Sequence, residues 1–396
     1  MDSPERRTED LAELPESAEL AVVGGGLAGL ICAWRAADAG LDVVVCDSPR
    51  RPAAAMVAAG MIAPLGEASW GEDATLEAAL AAAADWPEFA RLLEAAAELA
   101  VPYRRCGALH VALDRDEAAE LERRSEFHGR RGLASRRLLG SECRSIEPGL
   151  APGVSAGISA DQEAEVDPRA LLAALAAAAS SAGARIAAAE VSRIDAGAGR
   201  VRILTGDGRS FEAGRVAICA GAWAGTDGLL PEAQRLPVRP LRGEVLRLRA
   251  PAGALPCERI IVGERFYLVP RLSGEVVLGA STEERGFDLR VTAGGVHELL
   301  RECYRALPEI AELELVEAAA GLRPGSPDNA PIFGALPGAE GAPGPLVAAG
   351  LHRHGILFAP LLARGFDALL AAEPLPLELD PFGPGRYLRP DSVGAL

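Results

Sequence analysis

Leu20, Ala21, Val22 and Val23 form an apolar run of strand length, which Gly24-Gly25-Gly26-Leu27-Ala28-Gly29 then interrupts. Leu27 to Asp38 reads as a helix, with Gly40 suited to its C-terminal cap. Leu41–Cys46 is a second apolar strand, and it ends on Asp47. This strand–turn–helix–strand pattern predicts a βαβ unit. Farther on, Leu76–Leu99 reads as a helix interrupted at Trp86-Pro87, and Tyr103–Leu113 as strand or hairpin around Gly107. Glu117–Arg124 and Ser141–Ser145 look like exposed helices. Asp167 and Pro168 suit the cap and first position of a helix that runs to Gly183.

Arg185–Ile194 then reads as one strand, followed by a hairpin through Gly206-Asp207-Gly208. Arg215–Ala220 is another apolar strand, closing on the small-residue turn Ala220-Gly221-Ala222-Trp223. Pro240–Arg249, Arg265–Pro270 and Glu275–Ala280 look like longer antiparallel strands, with a helix at Val296–Leu307. Pro345–Ala349 is a late strand, Gly350 to Gly355 a second small-residue turn, and Ile356–Leu370 a final helix. Beyond Pro374 the chain is proline-rich and reads as a loose tail. The fold class that follows is α/β, a parallel nucleotide-binding sheet with a second, mixed α+β layer.

The glycines carry the first chemical signal. Gly24, Gly26 and Gly29 form G-x-G-x-x-G between strand and helix, and Asp47 follows at the spacing of a dinucleotide fingerprint. Gly24 permits the tight turn, Gly26 lets backbone approach a pyrophosphate, and Gly29 lets helix and strand pack closely. The helix N-terminus offers free N–H groups to phosphate, and Asp47 can accept from a ribose hydroxyl. A glycine-rich turn with no ligand is the plain alternative. There is one such fingerprint, so one dinucleotide is expected. The turns at Gly221 and at Gly350–Gly355 suit a cofactor long enough to touch the sheet in several places, which favours FAD over NAD.

Composition narrows the field. With 396 residues the chain is long enough for two or three domains. The net charge of −16 argues against nucleic acid or an anionic membrane as partner. Seven cysteines without a C-x-x-C indicate neither zinc nor a disulfide framework, and point to a reducing cytoplasm. Met1–Ser17 is acidic and lacks an apolar core, so it reads as a disordered tail rather than a signal peptide. The sequence contains no lysine, which excludes a pyridoxal-phosphate Schiff base and a Walker A loop. No G-x-S-x-G or H-E-x-x-H supports hydrolase chemistry. His352 and His354 lack a third ligand at suitable spacing, so no metal is expected. Arg323 and Arg353 sit in glycine-rich apolar settings. Each is either an exposed or internally paired arginine, or a clamp for a substrate carboxylate, which the guanidinium fork matches.

Three blocks resemble the FAD-dependent D-amino-acid oxidase family, and within it the glycine oxidases of thiamine biosynthesis. They are Val57-Ala58-Ala59-Gly60-Met61-Ile62-Ala63-Pro64, Ala320-Gly321-Leu322-Arg323-Pro324-Gly325-Ser326-Pro327-Asp328, and Gly350 to Pro360. The resemblance covers about Glu19 to Leu370. It implies that Leu27, Ala28, Asp47 and Ser48 touch the adenosine and phosphates of FAD, and that Val191 meets the adenine through its backbone. It places Ala59, Gly60 and Met61 at the flavin ring, together with Leu351, His352, Arg353, His354, Gly355, Ile356 and Leu357. Arg323 would hold a substrate carboxylate, with Tyr267 donating a second hydrogen bond, Arg353 close by and Met61 at the reacting face.

The resemblance further implies an FAD domain built from 18–88, 153–235 and 317–372 and a substrate domain from 89–152 and 236–316, with 373–396 a C-terminal tail. FAD is expected to be noncovalent, since no cysteine lies at Arg323–Pro331 where sarcosine-oxidase relatives attach it. The implied activity is oxidation of glycine or a similar small amino acid, with oxygen reoxidising the flavin, in a homo-oligomer, a tetramer by resemblance. Sarcosine or D-amino-acid oxidation on the same scaffold, or flavin binding without turnover, are the alternatives. Departures from the family pattern fall at Ala53–Ala55, Arg265, Leu351 and His354.

Overall fold

Leu20 and Val22 pack into one hydrophobic core while Ala21 and Val23, on the same strand, pack into another. Alternate side chains of a strand point to opposite faces, so a run with no polar position must be covered on both. The computed structural model, which describes residues 13–196, 199–338 and 344–388, shows how. The strand Ser17–Val23 lies between Ser210–Ile218 and Val43–Asp47, parallel to each. The strand order continues to Arg185–Ala188 on one side and through Val201–Thr205 to Val191–Ala196 on the other. Leu346–Ala349 joins Ser210–Ile218 in parallel and carries Ile332–Ala335. Helices Leu27–Asp38, Asp73–Ala97, Pro168–Ser181 and Ala359–Ala371 cover one face. Continuous apolar strands are what a parallel sheet buried on both faces requires.

A second eight-stranded sheet runs in the order Glu314–Gly325, Arg239–Arg249, Glu275–Gly279, Tyr267–Pro270, Ile260–Val262, Ala108–Ala112, Ala156–Ala160 and Arg136–Leu139. All its pairings are antiparallel except Ile260–Val262 with Ala108–Ala112. The helix Ala293–Ala306, capped by Thr292, buries Leu299 and Cys303 against it. A small third sheet joins Met61–Ile62 to Ala164–Val166 and Tyr103–Arg105. The expected α/β class is the observed one, with the first sheet parallel at its centre while Val191–Ala196, Val201–Thr205 and Ile332–Ala335 pair antiparallel.

Several local expectations are corrected. Asp73–Ala97 is one uninterrupted helix with Pro87 inside it. Trp86 is fully buried and its indole Nε1 donates to the Leu357 carbonyl at 3.0 Å, so packing overrides the proline's local preference. The segment around Gly107 is no hairpin, because Tyr103–Arg105 and Ala108–Ala112 belong to different sheets. Arg185–Ile194 is two strands that break at Ala189-Glu190 and take opposite ends of the sheet order. The final helix starts at Ala359, three residues later than expected, because Gly350–Phe358 forms turns instead.

Both expected tails are in part docked. Ser17 pairs with Glu212 and Leu14 packs on the core, while residues 1–12 lie outside the described residues. After Ala371, Leu377–Phe382 and Pro384–Tyr387 form short helical turns, with Leu379 and Phe382 each 1% exposed. Phe382 lies 6.4 Å from the Phe358 ring, and Arg386 donates to Asp328 at 3.1 Å. A proline-rich segment can still bury scattered large apolar side chains without periodicity, which is why the sequence pattern hides this docking. Replacing Phe382 by alanine should remove about 3–5 kcal/mol of stability, read as a lower midpoint in urea unfolding; a truly loose tail would leave the midpoint unchanged.

Candidate active site

A cavity of about 1070 Å³ opens between the two large sheets, at the upper end of the size known for small-molecule and cofactor sites. Its floor includes Val23, Asp47 and Ala349, at the carboxyl ends of parallel strands where α/β folds bind ligands. Its far wall comes from the mixed sheet, with Val245, Tyr267 and Arg323.

At one end the glycine turn meets its helix. Gly24 has φ +107°, and a Cβ there would meet the Cys219 carbonyl oxygen at 2.4 Å. A Cβ on Gly29 would stand 1.8 Å from the Gly24 oxygen, so Gly29 serves the packing of helix on strand and does not line the cavity. Gly26, Leu27 and Ala28 do line it. A Cβ on Gly26 would find nothing nearer than Ala53 at 3.5 Å, and no side chain caps the helix Leu27–Asp38. Its first-turn N–H groups therefore face open space, a ready seat for pyrophosphate.

Asp47 lines the cavity and accepts from the Gly25 N–H at 3.0 Å, which braces the turn. Ser48 donates to Glu190 at 3.1 Å and Arg51 to its other oxygen at 2.7 Å, bringing Val191 into the same wall. Gly221, at φ +54°, completes this end.

The loop that carries Ala59, Gly60 and Met61 crosses the cavity's middle. Gly60 has φ +83°, and a Cβ would stand 1.8 Å from the Val166 oxygen, whose own N–H donates to the Gly60 carbonyl at 2.9 Å. Three arginines from three elements hold the loop by its carbonyls. Arg169 and Arg247 donate to Met56 at 3.0 and 3.2 Å, and Arg271 donates to Ala59 at 2.7 Å. Arg271 also reaches Glu165 at 2.6 Å and Glu275 at 2.9 Å, while Arg104 donates to Glu165 at 3.1 Å. Burial pushes the Glu165 carboxyl up, and the Arg271 and Arg104 guanidiniums pull it back.

At the other end stand Arg323 and Tyr267. Arg323 donates to the Ser281 carbonyl at 3.0 Å and has no ion-pair partner among the described residues. Burial pushes the Tyr267 phenol up, against the pull of the adjacent Arg323 guanidinium. Two glycines make room for them. A Cβ on Gly243 would meet Arg323 Nη1 at 2.4 Å, and one on Gly279 would meet the Tyr267 hydroxyl at 2.4 Å. Arg353 lines the cavity, but its Nε pairs closely with Glu67 and its Nη2 donates to the Glu67 carbonyl at 3.0 Å and to Ser69 at 3.1 Å.

Leu351, His352, Gly355, Ile356 and Leu357 also line the cavity. His354 does not: its ring is 1% exposed and stacks on Phe358 at 5.4 Å, so its side chain belongs to the core. Burial first, and Arg353 next, bring the imidazoles of His352 and His354 down to about 4 and about 3. Both rings are neutral at physiological pH. Among the described residues no cluster of three or more His, Cys, Asp or Glu could hold a metal ion, and no helix is long and apolar enough to cross a membrane. Glu67 and Arg124 line the cavity and were not among the candidates above. Glu67 could have been noticed as the one charged residue between Ala53 and Ser69.

A nucleotide-binding parallel sheet, a mixed second sheet and a long cavity between them define an FAD-dependent oxidoreductase. The chain belongs to that family: the model for "DAO: FAD dependent oxidoreductase" matches residues 19–369. It is 31% identical over 373 residues to a glycine oxidase of Geobacillus kaustophilus, covering 93% of this chain and 97% of that one. The crystal structure of glycine oxidase from the same organism superposes with a TM-score of 0.86 at 29% identity, over 95% of this chain and all of the other. A bifunctional ThiO/ThiG protein of Synechocystis is 30% identical over 94% of this chain, which spans 54% of that protein's length. An iminodiacetate oxidase from Chelativorans shares the fold with a TM-score of 0.80 at 26% identity, over 92% of this chain and 99% of that one. FAD is the cofactor this family uses, and the open Gly26 and uncapped helix fit its pyrophosphate.

Replacing Arg271 by methionine would leave Glu165 with Arg104 and Glu275 with Arg247 as their remaining partners, and the Ala59 carbonyl without its donor. Removing one partner of a buried pair costs up to about 3–5 kcal/mol, and the remaining arginines offset part of that, so the variant should melt lower, and its FAD should dissociate more readily in ultrafiltration. A variant with unaltered melting and retention would show that the guanidinium does not hold the loop.

Proposed function

We propose that this chain oxidises glycine, or another small α-amino acid, to the corresponding imine. The observation that carries the reading is Arg323, a guanidinium without an ion-pair partner among the described residues, beside the Tyr267 phenol in the same cavity as the Ala59–Met61 loop. A carboxylate is the group that a guanidinium fork and a phenol O–H can take together. Arg323 and Tyr267 act by orientation, holding the substrate's Cα toward the loop. Arg353, committed to Glu67 and Ser69, shapes the pocket rather than clamping the carboxylate.

Gly26, Leu27 and Ala28 would seat the FAD pyrophosphate, Asp47, Ser48 and Val191 its adenosine, and Ala59, Gly60, Met61 and Leu351–Leu357 its ring, noncovalently. Bound there, FAD supplies acceptance of a hydride from Cα and return of the electrons to oxygen. We assign 18–88, 153–235 and 317–372 to the FAD domain and 89–152 and 236–316 to the substrate domain. The likeness to ThiO/ThiG favours delivery of the imine to thiamine thiazole formation, with glyoxylate and ammonia as the products of hydrolysis in water.

The test is the visible spectrum of the purified protein before and after glycine is added without oxygen. Oxidised-flavin bands that bleach on addition are the expected result. Bands that persist with glycine and bleach with sarcosine or a D-amino acid would keep the chemistry and change the substrate. Bands that no amino acid bleaches would overturn the reading. Replacing Arg323 by alanine should leave the flavin bound and cost about 2–5 kcal/mol of substrate binding, seen as a raised KM; unchanged glycine kinetics would remove Arg323 from the site.

A further inference from the structure

Arg323 and Tyr267 account for a carboxylate and leave the substrate's nitrogen without a partner. An amino acid reaches the site as a zwitterion, and its Cα cannot give up hydride while the nitrogen carries a third proton, because the lone pair that forms C=N is then occupied. A group is needed that attracts an ammonium and takes its proton. Among the described residues that line the cavity, Glu67 is the carboxylate that stands by both Arg353 and the Arg323–Tyr267 pair. One of its oxygens is held by Arg353 Nε, and the other is not paired with a cation among the described residues.

The local structure fixes Glu67 from behind. Gly66 donates its N–H to Glu163 at 2.6 Å, and Glu163 is fully buried with its second oxygen 4.0 Å from His110 Nε2. A Cβ on Gly66 would meet the His110 ring at 2.9 Å, so the backbone lies against that pair. Arg124, on the helix Arg115–Arg130, donates to the Gly66 carbonyl at 3.1 Å. The turn is therefore held at its N–H, its carbonyl and its α-carbon, and the side chain that follows it has a set direction.

Resting on the amino-acid reading above, we propose that Glu67 is the amine site: its carboxylate pairs with the substrate ammonium and accepts one proton from it. In that step an N–H bond breaks and an O–H bond forms on Glu67, leaving a neutral amine whose lone pair is free. The proton then passes to water. With Arg323 at one end and Glu67 at the other, the pocket is matched to small zwitterions, and a simple carboxylic acid engages its Arg323 end alone.

The charged groups around Glu67 set its behaviour. Burial pushes its carboxyl above the usual carboxylate range, and buried Glu163 adds to this. Arg353, Arg323 and Arg124 pull it down. Glu72 stands 3.7 Å from Arg353 Nη2, Tyr267 and His110 line the same cavity, and His110 lies beside Glu163. A carboxyl raised in this way is a better proton acceptor than an exposed one, and it is lost as acceptor when pH falls through its raised value.

The test follows anaerobic flavin bleaching by sub-saturating glycine across pH, in wild type and in Glu67→Gln and Glu67→Asp, each loaded with FAD. Wild-type efficiency should fall on the acid side of a titration that lies above the ordinary carboxylate range. Glu67→Gln should lose that limb, drop in efficiency by on the order of a hundredfold near neutrality, and recover toward alkaline pH, where free glycine supplies its own neutral amine. Glu67→Asp should keep the limb. Acetate, a carboxylate without an amine, should still bind Glu67→Gln, read as a shift of the oxidised-flavin spectrum.

A Glu67→Gln profile that matches wild type would overturn the proposal and leave the amino-acid reading intact. Parallel loss of acetate and glycine binding would also overturn it, since Glu67 would then serve only to hold Arg353 and the loop. Wild-type flavin that no amino acid bleaches would sink the underlying reading as well.

Discussion

The loop at the centre of this molecule depends on guanidinium groups that bind its backbone carbonyls. The loop Ala54–Met61 is half alanine, and such small side chains contribute little packing of their own. Its carbonyls are held by Arg169, Arg247 and Arg271, which reach it from a helix, from the strand Arg239–Arg249 and from the turn just after the strand Tyr267–Pro270. A point charge would not serve. Arg271 donates in three directions at once, to Glu165, Glu275 and the Ala59 carbonyl, and that needs a rigid planar fork with several donors. The carboxylates of Glu165 and Glu275 then keep the guanidinium's charge compensated.

The same chain uses glycine to bring groups closer than a Cβ allows, and does so at both ends of the cavity. At the dinucleotide end Gly24 and Gly29 let strand, turn and helix touch, which leaves Gly26 and the helix N–H groups facing outward. At the other end Gly243 and Gly279 sit under the Arg323 guanidinium and the Tyr267 ring. Each polar head therefore lies flat against backbone, where it loses rotational freedom before any ligand arrives. Preorganisation of this kind lowers the ordering cost of binding. The glycines of the mixed sheet are thus as much a part of the site as the glycines of the fingerprint.

The dinucleotide half was legible in the sequence because its signals are local. An apolar run, three glycines at fixed spacing and an acid at the end of the next strand lie within some thirty residues, and each states its own geometry. The C-terminal docking of Leu379 and Phe382 was not legible, since scattered large residues among prolines show no period. Nor was the split of Arg185–Ile194, because a break between two strands that leave for opposite sheet edges looks like one long strand when read along the chain. His354 shows a third kind of limit. The turn around it does line the cavity, but which way one side chain points within a glycine-rich turn depends on Phe358, four residues later. Glu67 was visible as a lone charge among small residues, yet its meaning lay in Arg353, which is nearly three hundred positions away.

The electrostatics of the site follow from these placements rather than from the net charge. The chain carries −16 overall, which would repel an anionic ligand at long range, but screening over roughly 10 Å leaves the local groups in command. Within the cavity His352 is held neutral by burial and by Arg353, so it adds no charge. Arg353 is balanced by Glu67, and Arg124 lies among Glu67, Glu120 and Glu163. That leaves Arg323 as a cation whose own partner is a carbonyl rather than a carboxylate. A guanidinium so placed, beside Tyr267 and two glycines, has its charge uncompensated by any carboxylate among the described residues, and that is the gap which the proposed amino-acid carboxylate would fill.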